Sequence, residues 1–305
     1  MIIKVLTLDI FGFKALWSPY FLTILLAITV GFFLITTKYR TKFLNNEPLN
    51  AKQAVLFLIA MGLLYAIKGS PLDLMGHLMF YIHGISMVLL VFLVPPLFIL
   101  SIPHWLWRTI LNLKGIKSLY KLFSKPVVAI LLFNAFFSFY HIPLVFDHVM
   151  QNRYLHAGYS ILLFIFAIGM WWSLICPLEE YKNLTGIKKV AYIFVNSILI
   201  TPSCALIIFS DTSLYATYHD PKVWSQVMSL CVGSSFDNLN LTGPELFSSM
   251  SAVEDQRLGG IVMKILQEMI FAVVLAQVFF EWYRNDQEDS EREMENYTLN
   301  PTVVE

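Results

Sequence analysis

Met75, Met79, His83 and Met87 follow one another at intervals of four, so on a continuous helix they form a single stripe. Thioether sulfur and imidazole nitrogen are soft donors suited to Cu(I), whereas magnesium and calcium take hard oxygen. Asp73 and His77 are also four apart, which would let the carboxylate hold the second ring nitrogen of a ligating imidazole. His77 and His83 are six apart, about 240° around a helix, so they share a site only with help from other helices. Later in the chain, His141-Ile-Pro143 leads through Asp147-His148 to Tyr154-Leu-His156, and a short connection there lets these histidines approach His77. The competing account is structural: methionines fill irregular gaps in cores, and aromatic-polar histidines are tolerated at interfaces without a ligand.

What must position these residues is a membrane bundle. Of 305 residues, 57% are hydrophobic and 14% charged, and the mean hydropathy is +0.65. A soluble domain has about 45–50% apolar and about 25% charged residues. An ordinary soluble enzyme and a disordered chain are thereby excluded, and the balance of 21 basic against 21 acidic residues gives no footprint for nucleic acid. Cys176, Cys204 and Cys231 form no CxxC pair and no disulfide framework.

A spanning helix needs about 20 apolar residues. Uncharged stretches run from Lys14 to Lys38, Asp73 to Arg108, Lys125 to Asp147, Arg153 to Glu179 and Lys189 to Asp211. Another runs from Arg257 to Glu281 and tolerates Lys264 and Glu268, and Gln53–Ile67 is the shortest candidate. In the third span, Pro95-Pro96 and then Pro103 are expected to end the helix, since proline cannot continue one without strain. The expectation is an all-α membrane protein, a bundle of seven transmembrane helices over residues 18–284. Fourteen basic residues then flank one face and six the other. By the positive-inside rule this puts the N-terminus outside and the C-terminus in the cytoplasm. Six of the seven histidines, all but His104, fall at or near the outer face.

Residues 1–17 read as an interfacial amphipathic segment with no cleavable signal pattern. Residues 211–257 form a long outer loop whose Tyr215, Tyr218, Trp224, Phe236 and Leu241 predict a folded cap. Residues 285–305 read as an acidic, disordered cytoplasmic tail. Lys264 and Glu268 are four apart and can pair within their own helix, either as a self-neutralised structural pair or as a contact for a proton, ion or partner. Gly259-Gly260 before them permits close helix approach. There is no phosphate loop, zinc-protease motif, nucleophile elbow or triad, so no enzyme is expected.

Several segments carry a resemblance. Phe11-Gly-Phe-Lys-Ala-Leu-Trp-Ser-Pro-Tyr20 comes first, then Met75-Gly-His77-Leu-Met79 continuing to Val94-Pro95-Pro96. His141-Ile-Pro143 through His156 and Asp255-Gln-Arg-Leu-Gly259-Gly260-Ile-Val-Met263-Lys264 follow. In this order the sequence is similar to the CtaG family of bacterial polytopic membrane proteins, required to assemble caa-type cytochrome c oxidase. The resemblance covers nearly the whole chain. It implies a multi-pass protein of the bacterial plasma membrane with oxidase subunits as partners and a role in supporting copper insertion. The family supplies no ligand set to carry over. The spacing nominates His77, His83, His141, His156, Met79 and Met87 for transient copper, with Asp73, Lys264 and Glu268 as supporting polar groups. A copper permease, a b-type cytochrome holding haem between two histidines and a metal-free scaffold for oxidase subunits are the alternatives.

Overall fold

In hydrocarbon a backbone must satisfy its own N–H and C=O groups, so each long apolar run becomes a helix. The computed structural model describes residues 8–123, 125–233, 236, 241 and 243–299 and is all-helical, with no strand among the described residues. In order, the helices are α1 (Phe13–Leu16), α2 (Pro19–Phe33), α3 (Ala51–Lys68), α4 (Pro71–Leu78), α5 (Phe80–Val88), α6 (Val94–Ser101) and α7 (His104–Leu111). They continue with α8 (Lys114–Phe123), α9 (Pro126–Tyr140), α10 (Pro143–Met150), α11 (Arg153–Ile175), α12 (Ile187–Phe209), α13 (Pro221–Val232) and α14 (Ala252–Leu299).

Six segments are long and apolar enough to cross a membrane: Pro19–Lys38, Ala51–Lys68, Phe80–Ser101, Arg153–Ile175, Ile187–Phe209 and Ala252–Arg292. α9 and α10 make a seventh when taken as one span, although they bend by 78° at His141-Ile142. The shortest sequence candidate is a regular helix of 18 residues, α3, whose start is fixed by a reciprocal capping box between Asn50 and Gln53.

Packing sorts these helices into a centre and a rim. α5 packs on α14, α6 on α3 and α11, and α9 and α12 close the ring. Glycines make the α5–α14 contact close: a Cβ on Gly259 would lie 2.5 Å from the Phe80 ring, and one on Gly84 would lie 2.7 Å from Met263. α2 stands at the rim, with α3 as its principal neighbour.

The connections collect at two ends. At one end Trp105 donates to the Glu47 carbonyl, Arg108 pairs with Glu180, and Tyr120 packs on Tyr181. At the other, called the loop end, the described residues of segment 210–251 fold over the bundle. Trp224, Phe236 and Phe247 there pack with Phe11, Leu74 and Leu78. The loop is thus a folded cap, as its aromatic content predicts. Within the N-terminal segment, residues 1–7 lie outside the described residues, and Phe11 is buried in this cap.

Three local expectations need correction. Pro95-Pro96 does not end the third span. A turn of π-helix over Leu89–Leu93 precedes the prolines, and the helix resumes through them as α6 to Ser101. Pro95 has no N–H to offer the carbonyl four residues back, that of Val91, and the Trp171 indole donates to that oxygen instead at 3.1 Å. Second, the same span breaks at its start: Met79 is extended (φ −134°, ψ 126°) between α4 and α5. Third, the tail expected to be disordered from residue 285 continues α14 as far as Leu299. Its Glu- and Arg-containing sequence has good intrinsic helix propensity, which carries the helix on past the membrane-spanning part.

Candidate functional site

The break at Met79 governs the site. It removes the uninterrupted methionine stripe, because Met79 is the joint between two helices and packs toward the cap cluster. α4 instead folds against α5. Gly76 approaches His83 so closely that a Cβ on Gly76 would lie 3.4 Å from the His83 Cα. The 240° separation that an unbroken helix imposes on His77 and His83 no longer applies.

The first turn of α5 is held from across the bundle. The Asp255 carboxylate accepts hydrogen bonds from the backbone N–H groups of Phe80 at 2.6 Å and Tyr81 at 3.1 Å. A carboxylate at a helix start satisfies orphan donors and opposes the positive end of the helix dipole. On the cap side, Tyr218 donates to the Gly76 carbonyl at 2.6 Å and Tyr215 donates to the His141 carbonyl at 2.9 Å. Asp147 accepts from the Ala216 and Thr217 amides, both at 2.9 Å, and so fixes the turn that carries both tyrosines.

Within this frame His77, His83, His156 and Met87 line one cavity of about 10 Å³, room for roughly a single water-sized occupant. The His77 and His156 rings meet edge to face with centroids 5.4 Å apart. His77 Nδ1 donates to the main-chain carbonyl of Asp73 at 2.8 Å, and the ring also hydrogen-bonds Cys231, which borders the adjoining pocket. The Asp73 carboxylate does not hold this ring as the spacing predicted. It turns instead to Lys68 at 3.4 Å, because the carbonyl one helical turn back already occupies the ring N–H.

His156 is half-buried, with its Nε2 buried and unpartnered, and Ser86, which lines the same cavity, has an unpartnered buried hydroxyl. His83 is engaged by the Tyr140 hydroxyl, 3.3 Å from Nε2. His141 lies apart from the cavity. Its Nδ1 donates to the Phe137 carbonyl at 2.7 Å, its Nε2 is buried without a partner, and its ring packs on Phe137 and Tyr140. His148 is exposed and does not line the cavity. Among the described residues, no three of His, Cys, Asp or Glu converge as a ready-made metal centre.

The intramembrane polar groups form a separate cluster. Lys264 and Glu268 pair within α14 at 2.6 Å, as their spacing predicts. Ser197 donates to Glu268, and Lys264 donates to Thr201 at 3.0 Å, so the pair also ties α14 to α12. Asn134 and Asn196 bond to each other at 2.6 Å deeper in the bundle. Residues that the spacing argument missed are Gly76, Ser86, Asp255 and Tyr218. Tyr218 carried a signal as one of the loop aromatics and Asp255 as an acid near a glycine pair, but the partner of Asp255 lies 175 residues away.

Comparison with known protein families matches residues 14–285 to the cytochrome c oxidase caa3 assembly factors, Caa3_CtaG. The chain belongs to this family. Comparisons with curated proteins and with solved structures found no match. The matched segment of this CtaG-family chain contains every cavity residue, the Asp255 cap and the tyrosine turn. Family membership supports a role in oxidase assembly rather than catalysis, and the apolar helices make it a multi-pass membrane protein.

Proposed function

We propose that this CtaG-family protein assists oxidase maturation by taking up a soft cation, Cu(I), as transient cargo at the loop end and releasing it to a nascent oxidase subunit. The observation that carries the reading is the His77–His156 pair, with centroids 5.4 Å apart, over a cavity shared with His83 and Met87. Imidazole and thioether donors favour Cu(I). His156 offers an unpartnered buried nitrogen, the condition a ligating atom meets before its metal arrives. A donor set below the usual four suits a cargo that must leave again. The small volume between the histidines favours an ion over a haem.

The loop end faces outward in this reading. The connections at the opposite end carry most of the basic residues, including Lys38, Arg40, Lys42, Lys114, Lys117, Lys121 and Lys125, as a cytoplasmic face of a bacterial plasma membrane should. His77 and His156 are the primary donors, His83 and Met87 the auxiliary ones. His141 and Met79 move outside the donor set, and Asp73 acts by holding Lys68 and presenting its carbonyl to His77.

The test is a deletion strain complemented with the His77→Ala/His156→Ala double variant. Copper per oxidase, measured by elemental analysis, and oxidase activity are expected to fall at least five-fold while the variant remains inserted at normal level. Normal oxidase copper in that strain would overturn the proposal.

A further inference from the structure

A second opening lies beside the histidines, on the flank of the bundle. Because α2 stands off at the rim, a groove of about 420 Å³ remains between α2, α3 and α11. Its length is apolar, lined by Phe21, Leu25, Leu64, Ile161 and Phe164. Toward the loop end its character changes, and Lys68, Asp73 and Arg153 line it. There it meets a pocket of about 210 Å³ bordered by Lys14, Lys68, Asp73 and Arg153, with the cavity histidines His77 and His156 on its inner wall.

The charge at that junction is unbalanced. Lys14, Lys68 and Arg153 contribute three cations against one anion, Asp73, whose carboxylate is already paired with Lys68. Lys14 and Arg153 are exposed and have no ion-pair partner among the described residues. Aromatic residues mark the depth. Trp17 stacks on Tyr65 one turn before Lys68, and Tyr20 and Tyr154, next in sequence to the groove residues Phe21 and Arg153, are 82% and 88% exposed. Exposed Trp and Tyr sit at headgroup level in membrane proteins. The cations are therefore at the depth of lipid phosphates, directly above an apolar slot that opens sideways.

We propose that this groove is a binding site for one anionic phospholipid, its phosphate held by Lys14, Lys68 and Arg153 and one acyl chain lying along α2 and α11. Unpaired positive charge selects an acidic headgroup, and the apolar slot selects an amphiphile over a free anion. The groove shares Lys68, Asp73 and His156 with the histidine cavity, but its cationic rim at Lys14 and Arg153 lies outside that cavity, and a lipid titration without copper reads it separately.

Native mass spectrometry of the delipidated full-length protein, titrated with phosphatidylglycerol or phosphatidylcholine of the same chains, tests it. Phosphatidylglycerol is expected to bind at least ten-fold more tightly. Lys14→Gln/Arg153→Gln should remove that preference, by about five-fold per residue, and Lys14→Arg/Arg153→Lys should keep it, which separates loss of charge from loss of fold. Ala157→Trp, which fills the slot, should lower phosphatidylglycerol binding at least five-fold. Equal binding of the two lipids, full competition by inorganic phosphate, or an unaltered Ala157→Trp variant would each overturn the proposal.

Discussion

The carboxylate of Asp255 caps the helix that begins at Phe80, accepting from its backbone N–H at 2.6 Å across 175 residues of sequence. This contact ties the start of α14 to the break in the third span, and so to the position of His83 three residues beyond Phe80. Asp255→Ala leaves one buried and one half-buried amide donor without partners. It is expected to lower stability by about 2 kcal/mol, in the range for hydrogen bonds to a charged group, measured as the thermal unfolding midpoint in detergent. Oxidase copper should fall in the same variant even though Asp255 does not line the cavity.

Two glycines give opposite outcomes. A Cβ at Gly259 collides with the Phe80 ring at 2.5 Å and comes within 3.1 Å of the Tyr81 backbone, so Gly259→Ala should force α5 from α14. Overpacking of this kind costs about 1–3 kcal/mol. Gly158 on α11 has nothing within 4 Å of its Cβ position, and Gly158→Ala should leave stability unchanged or raise it. Matched unfolding curves for the two variants check both expectations.

The indole of Trp171 substitutes for the N–H that Pro95 lacks. Trp171→Phe should cost about 1–3 kcal/mol by leaving the Val91 carbonyl without a donor in a buried site. Pro95→Ala restores an N–H and should make the Trp171→Phe change much less costly. A double-mutant cycle on unfolding free energies reads this coupling, and strictly additive effects would contradict the assignment.

The histidines should separate by position. His156→Phe removes the unpartnered nitrogen at the shared cavity and should weaken Cu(I) retention at least ten-fold in competition with a chromogenic chelator. His141 is buried away from that cavity, so His141→Phe should retain Cu(I) within about two-fold. His141→Phe also removes the Nδ1 donor to the buried Phe137 carbonyl and should cost about 1 kcal/mol of stability. Equal losses in the two variants would remove the distinction between cavity and core histidine.

The cap should loosen when its tyrosine is blunted. Tyr218→Phe deletes the donor to the Gly76 carbonyl while leaving the ring packing in place. Limited proteolysis within segment 210–251 is expected to accelerate several-fold, and unchanged cleavage would mean that the aromatic packing alone holds the loop.

Composition and run length by themselves determined that the chain is a helical membrane bundle, because hydrocarbon leaves an apolar segment of about 20 residues one way to satisfy its backbone. The Lys264–Glu268 pair and the folded cap were legible for the same kind of reason: a four-residue interval on a helix and a concentration of aromatics are local facts. The site was legible only as a set of candidates. His77 and His83 lie on divergent faces of any unbroken helix, and sequence spacing carries no sign of the extended Met79 that brings them together. That break exists because distant groups support it, with Asp255 supplying the cap for Phe80 and Gly76 and Tyr218 allowing α4 to lie against α5. Spacing along one helix is set by covalent geometry, whereas the meeting of His77 with His156 and the exclusion of His141 depend on helices that touch only after the chain has folded.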